Sequence, residues 1–315
     1  MRNVRQTPLS DATTPQRRDF LARATGLCVA LGAPPLTQAS TTSSAASASP
    51  APRSVEFDID TSVRSPNQEC RIRTLVLHYT EVSLAESLQI LTSVARGVSA
   101  HYLVPDTPRS DGHFHVYQLV PETQLAHHAG VSAWQGERML NASSIGIEIV
   151  NPGFDPADKD LPLALRRWHA YPDEQIDVVC QLATAIVQRH RIGPTRVVGH
   201  ADIAPGRKID PGPRFPWKRL YERGLGAWPN ETTVAYFAQN APYRGDIAAL
   251  QAKLLAYGYD TPQSGELDDA TRHVVQSFQM HFCPTHRFDG VPDVQTVAVL
   301  DALLEKYFGV QRPAP

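Results

Sequence analysis

Residues 144–150 read SIGIEIV and are closed at once by Asn151-Pro152-Gly153. Seven residues are too few for a buried helix, and isoleucine at every second position is the period of a strand. Ile145, Ile147 and Ile149 therefore share one face, and Glu148 is turned to the opposite one. The fold must bury an apolar sheet face and also accommodate a carboxylate inside an apolar run, which is costly unless the charge is paired or solvated. Two readings of Glu148 are open on pattern alone: a residue aimed at a functional site, or an exposed group on a half-solvated strand.

The neighbouring segments fit the same frame. Residues 73–79 (RTLVLHY) form a second β-rich run, and 195–198 are a further strand that leads into a loop. Residues 101–104 and 113–120 read as two more strands, split by a turn at 105–112. Residues 84–94 carry helical spacing. Residues 173–190 follow Pro172 and place Ile176, Val179, Cys180, Ala183 and Val187 on one face of a helix. Strands and helices alternate without strict βαβ repetition, so the expected class is α/β, a mixed central β-sheet flanked by helices.

The pattern breaks between residues 225 and 242. Beyond 245 only helical spacing remains. Ile247, Leu250, Leu254 and Leu255 form one stripe that Gly258 stops. Asp268 precedes a second helix carrying Val274, Val275 and Phe278, and residues 294–308 form a third after the Asp289-Gly290 turn. The expected layout is an α/β domain over 55–225, a linker over 226–242 and a small all-α three-helix domain over 243–309.

The N-terminus stands apart from this fold. Arg17-Arg18 precede Asp19-Phe20-Leu21, a short weakly apolar run and the small residues near Ala39. These are the parts of an export signal of twin-arginine type over residues 1–39, with a disordered basic tail as the other reading. Thr25-Gly26-Leu27 before Cys28 do not match a lipobox, which argues against a lipid anchor. Residues 40–54 (STTSSAASASPAPRS) read as a flexible tether. Export would place the chain in the periplasm or cell envelope. Removing the five Arg and two Asp of residues 1–39 takes the formal charge from −2 to −5, which leaves no electrostatic case for nucleic acid. No apolar run of membrane-spanning length follows the signal. Cys70, Cys180 and Cys283 remain, an odd number, so at least one thiol is free or pairs between chains; a Cys70–Cys180 bridge stays open.

Candidate chemistry gathers at strand ends, where ligands commonly sit in α/β folds. His78 ends the first strand, and residues 197–213 read VVGHADIAPGRKIDPGP, with His200 and Asp210 on a loop held by six Gly and Pro residues. Two histidines and one carboxylate leave a fourth zinc position open, the pattern of a catalytic rather than a structural site. Spacing alone does not select this trio. His113 and His115 on one strand face are rivals, as are His101, the His127-His128 pair, and His281, Cys283 and His286.

A family resemblance does select it. LVLHYT (75–80), HHAG with Ser132 and Trp134, IGIEIVNPG (145–153), YPDEQ (171–175) and GHADIAPGRKIDPGPRFPW (199–217) resemble the zinc N-acetylmuramoyl-L-alanine amidases, which share a fold with peptidoglycan-recognition proteins. Leu250-Gln251, Leu255, Gly258-Tyr259, Gly265, Thr271, Phe278-Gln279, Asp289-Gly290 and Thr296 resemble a three-helix peptidoglycan-binding domain. The added module and export signal are closer to the envelope AmiD-type members than to the cytoplasmic AmpD-type ones. The resemblance implies His78, His200 and Asp210 as Zn2+ ligands, Glu148 as general base and Lys208 as the cation stabilising the oxyanion. It implies Tyr79 and Thr80 as substrate contacts. For Trp134, a groove residue and a core residue are both open. Asp202 is expected to brace the loop and Arg207 to form a structural salt bridge. The implied reaction is hydrolysis of the amide between N-acetylmuramic acid and L-alanine in peptidoglycan or muropeptides. The competing reading is a recognition protein that binds peptidoglycan without cutting it, and the complete trio with Glu148 and Lys208 argues against that. Neither H-E-x-x-H nor G-x-S-x-G occurs, which removes one common zinc peptidase type and the usual serine hydrolase.

Overall fold

The computed structural model describes residues 58–312, so the expected signal over 1–39, Cys28 and the tether over 40–54 lie outside the described residues. The described residues from Ser65 onward make up one unit. Its elements run in the order β1 (Thr74–Tyr79), α1 (Leu84–Leu91), β2 (Tyr102–Val104), β3 (Tyr117–Gln118), β4 (Ala133–Trp134), β5 (Glu137–Arg138), β6 (Ser144–Ile149), α2 (Asp173–His190), β7 (Val197–Gly199), α3 (His200–Ile203), α4 (Trp217–Glu222), α5 (Glu231–Asn240), α6 (Ile247–Tyr257), α7 (Asp269–Phe282) and α8 (Val294–Phe308).

The main sheet has the order β3-β2-β6-β1-β7, parallel except for the β2–β3 pair, so it is mixed as expected. β4 and β5 form a separate two-stranded ribbon. Alternation gives the sheet two different faces. Leu75, Leu77, Ile145, Ile147 and Ile149 pack against Ile176, Val179, Cys180, Ala183 and Ile186 of α2. On the other face Val76 and Val198 join a core with Trp134, Tyr257, Tyr259 and Phe278. The second layer over the sheet is thus supplied by the C-terminal helices.

Three of those helices start on an aspartate that accepts a backbone N–H of the first turn. Asp246 takes that of Ala249, Asp268 that of Thr271 and Asp293 that of Thr296. Leu250 and Leu254 face the core, while Leu255, expected in the same stripe, is exposed and Tyr257 takes its place.

Two expectations need correction. Residues 226–242, expected as a linker, contain α5, which buries Val234 and Phe237 against the C-terminal core. Of the apolar residues in its sequence, ETTVAYFAQN, only Val234 and Phe237 are buried, so packing on α8 rather than local pattern makes it helical. Residues 113–120 pair only at Tyr117–Gln118, and His113 and His115 are exposed in the preceding loop. Cys70, Cys180 and Cys283 are all free thiols, and Cys180 is buried in the α2 core, so there is no Cys70–Cys180 bridge.

Candidate active site

Parallel pairing of β1 with β6 sets His78 directly opposite Glu148. Pairing of β1 with β7 brings the start of α3, and with it His200, beside the same strand end. Asp210 returns from the far end of the loop, where its backbone oxygen accepts the N–H of Ala201 at 2.8 Å. His78, His200 and Asp210 are all buried, and among the described residues theirs is the one group of His, Cys, Asp or Glu whose ligand atoms converge. His78 Nδ1 lies 2.9 Å from His200 Nδ1 and 3.0 Å from Asp210 Oδ2, and His200 Nδ1 lies 3.1 Å from the same oxygen.

The surrounding hydrogen bonds fix where the protons are. Ser144 Oγ–H donates to Leu140 O at 2.6 Å, so its oxygen accepts from His128 Nε2 at 3.2 Å. His128 Nδ1 is then an acceptor for His78 Nε2–H at 3.0 Å. His200 Nε2–H donates to Ala129 O at 3.1 Å. Both Nδ1 atoms are left as lone pairs facing each other and a carboxylate oxygen. Three such atoms with no proton between them repel, and a cation among them removes the repulsion. The donor set, two imidazoles and one carboxylate, suits zinc.

Electrostatics agree with neutral imidazoles at His78 and His128. Burial, then the neighbouring His200, lowers the pKa of His78 to about 4. Burial, then His78, pushes His128 well below its usual range. Glu148 behaves oppositely: burial, then the charge of Asp210, pushes it well above its usual value, against the pull of Lys208. Its Oε2 is buried with no hydrogen-bond partner.

His78, Tyr79, Thr80, Glu148, His200, Lys208 and Asp210 all line one open cleft. Ile90, Leu91 and Val98 form an apolar part of its wall. The Tyr79 hydroxyl is buried without a partner, and Thr80 Oγ1–H donates to Val82 O at 2.8 Å. Trp134 is a correction. It does not line this cleft but is 1% exposed against Tyr257 and Tyr259, with its Nε1–H on Thr195 O. Arg207 forms no ion pair among the described residues; its guanidinium donates to Ala129 O and Val131 O, both at 2.7 Å. Asp202 braces the loop as expected, accepting the Gly199 N–H at 2.7 Å.

The rival histidines have other tasks. His101 Nδ1 accepts the Gly146 N–H at 3.0 Å, and His286 pairs with Asp293. His128 orients His78, a role that the HHAG segment could show only as a possible ligand. It sits flat on β6 because residue 146 is glycine: a Cβ there would lie 2.4 Å from the His128 ring. Gly146→Ala is expected to destabilise the protein by about 1–3 kcal/mol, the usual cost of overpacking. Denaturant unfolding checks this, and an unchanged midpoint would mean the ring has room to move.

Comparison with known proteins adds to this geometry. The family described as "N-acetylmuramoyl-L-alanine amidase" matches residues 68–213, and the family described as "Putative peptidoglycan binding domain" matches residues 243–300. The N-acetylmuramoyl-L-alanine amidase AmiD of Escherichia coli (strain K12) is 43% identical over 259 residues, spanning 80% of this chain and 89% of that protein. The solved complex of E. coli AmiD with anhydro-N-acetylmuramic acid-L-Ala-D-gamma-Glu-L-Lys matches with a TM-score of 0.72 at 42% identity, covering 80% of this chain and 95% of that one. AmpDh3 from Pseudomonas aeruginosa in complex with anhydromuramic pentapeptide matches with a TM-score of 0.71 at 39% identity, covering 81% and 99%.

Proposed function

The chain belongs to the N-acetylmuramoyl-L-alanine amidase family, and from that premise we propose that it hydrolyses, with zinc, the amide between N-acetylmuramic acid and L-alanine in peptidoglycan or muropeptides. The observation that carries the zinc assignment is the convergence of three unprotonated ligand atoms in the cleft. His78 and His200 would hold the ion through Nδ1 and Asp210 through Oδ2. Bound zinc supplies a Lewis acid for the amide carbonyl and lowers the pKa of water from about 15.7 toward about 7.

The chain's own groups do the rest. Glu148, with an unpartnered oxygen beside the trio, takes a proton from the attacking water and delivers it to the leaving nitrogen of L-alanine. Its raised pKa suits a group that must both accept and release a proton. Lys208, two residues from Asp210 and on the cleft wall, places a positive charge near the carbonyl oxygen as it becomes an oxyanion. Thr80 bears on the substrate just past His78, and Ile90, Leu91 and Val98 limit water on one side; Tyr79, expected beside it, is turned into the α2 core at 5% exposure. Substrate complexes of two relatives, with anhydro-muramyl peptides, support ligands of this class for this cleft.

The C-terminal helices would bind the wall polymer and raise the effective concentration of the cleft at its substrate. The twin-arginine-like N-terminus supports export to the periplasm or envelope. Among the described residues no helix is long and apolar enough to cross a membrane.

Incubation of the zinc-loaded protein with muropeptides, followed by mass spectrometry, tests the reading. The expected products are a stem peptide beginning with L-alanine and a peptide-free glycan. Intact substrate with tight wall binding would identify a recognition protein instead, and cuts inside the stem would identify a peptidase.

A further inference from the structure

Asp202 is 2% exposed, and a carboxylate so buried requires partners. Its Oδ2 accepts the Gly199 N–H at 2.7 Å and His281 Nδ1–H at 2.8 Å, and its Oδ1 accepts the Tyr259 hydroxyl at 2.6 Å. Two of these three donors come from the C-terminal helical region, 57 and 79 positions along the chain. The third is the residue that caps α3, whose first residue is His200.

The same region grips the rest of the loop. The His281 ring stacks on Trp217 at 3.7 Å between centroids, just past the loop's end. α7 reaches the middle of the loop at Gly206, where φ is +75° and a Cβ would lie 2.4 Å from His273 Nδ1. Gly199 is equally confined, since a Cβ there would lie 2.6 Å from Pro211 Cδ. Small displacements of Asp202 therefore pass to the backbone that sets the His200 ring.

We infer that Tyr259 and His281 are positioning residues for the hydrolysis. Acting through Asp202, they hold His200 so that Nδ1 faces His78 and Asp210. The C-terminal helical region is then part of the hydrolytic unit, in addition to any role as a wall anchor. This rests on the reading of His200 as a zinc ligand. An anchor alone helps only with polymer, through effective concentration. A positioning module also matters for a soluble muropeptide, because partners behind a metal ligand set its geometry.

The test uses the zinc-loaded full mature chain and a soluble muropeptide. Tyr259→Phe deletes one hydroxyl, His281→Leu deletes the donor to Asp202, and His281→Asn keeps an N–H near the Nδ1 position. The expected result for Tyr259→Phe and His281→Leu is about 10-fold lower kcat, KM within about 2-fold, and about 10-fold faster zinc loss to a chelator. His281→Asn restores most of both. Asp202→Asn combined with Tyr259→Phe costs little more than Asp202→Asn alone, because the two act as one unit.

Wild-type kcat and zinc retention in Tyr259→Phe and His281→Leu would overturn the inference while leaving the site intact. Equal losses in His281→Asn and His281→Leu would overturn it in favour of packing alone. A wild-type chain that holds no zinc would remove the site reading itself. If His281→Leu does not fold, Tyr259→Phe, which keeps the whole ring, decides the matter.

Discussion

Glu148→Gln is expected to lower kcat by about 10²–10⁴-fold, the range for losing a general acid–base group, with zinc content unchanged. The carboxylate is half-buried in register with His78 and has one oxygen unpartnered, so it is free to take a proton. The amide of Gln matches its shape but cannot accept that proton. The pH profile gives a second readout. Burial holds the Glu148 pKa well above the usual carboxylate range. The base is active only when deprotonated, so kcat/KM should fall on acidification from a pH above about 4.3, the ordinary Glu value, and this limb should vanish in Glu148→Gln. The linkage to stability has a definite sign. A carboxyl raised in the folded state contributes most below its unfolded pKa, and that contribution is lost as pH rises through the folded value. Above that folded value the wild type carries a buried, destabilising charge, and there Glu148→Gln should melt at a slightly higher temperature. A variant with near-wild-type kcat would assign the proton transfer elsewhere.

Chelation is expected to abolish hydrolysis and to lower Tm by about 10 °C when compared with zinc at about 1,000 times its Kd. That concentration corresponds to about 4 kcal/mol of linked stability, at about 2–4 °C per kcal/mol for a chain of this size. The physical origin is the trio itself, three lone-pair atoms within 3.1 Å of one another. Asp210→Asn should lose the zinc-dependent shift altogether. In chelator it should melt above the wild type, because its amide N–H can donate to a facing Nδ1 and relieve the repulsion. Calorimetry with and without zinc checks both statements. Equal Tm values for the wild type in zinc and in chelator, with activity retained, would show that the cleft works without a metal.

The sheet, the α2 helix and the three capped C-terminal helices were legible because their signals are local. Isoleucine alternates in 144–150, α2 spans Asp173–His190 as its spacing requires, and an aspartate stands ahead of each C-terminal helix. α5 was not legible, since a ten-residue segment with two well-buried apolar side chains becomes helical only against α8. Trp134 could be read as groove or core until Tyr257 and Tyr259 were seen to enclose it.

The sequence by itself determined which chemical groups the chain has to offer: His78 and Glu148 at strand ends, and His200, Lys208 and Asp210 on a loop stiffened by Gly and Pro. Only the tertiary structure decided which of them meet. Strand register sets Glu148 beside His78, His128 and Ser144 turn both facing Nδ1 atoms into lone pairs together with Ala129, and Tyr259 and His281 grip Asp202 behind His200. These contacts join residues 16 to 79 positions apart, and periodicity along a chain records which way a side chain faces, not what it will meet there.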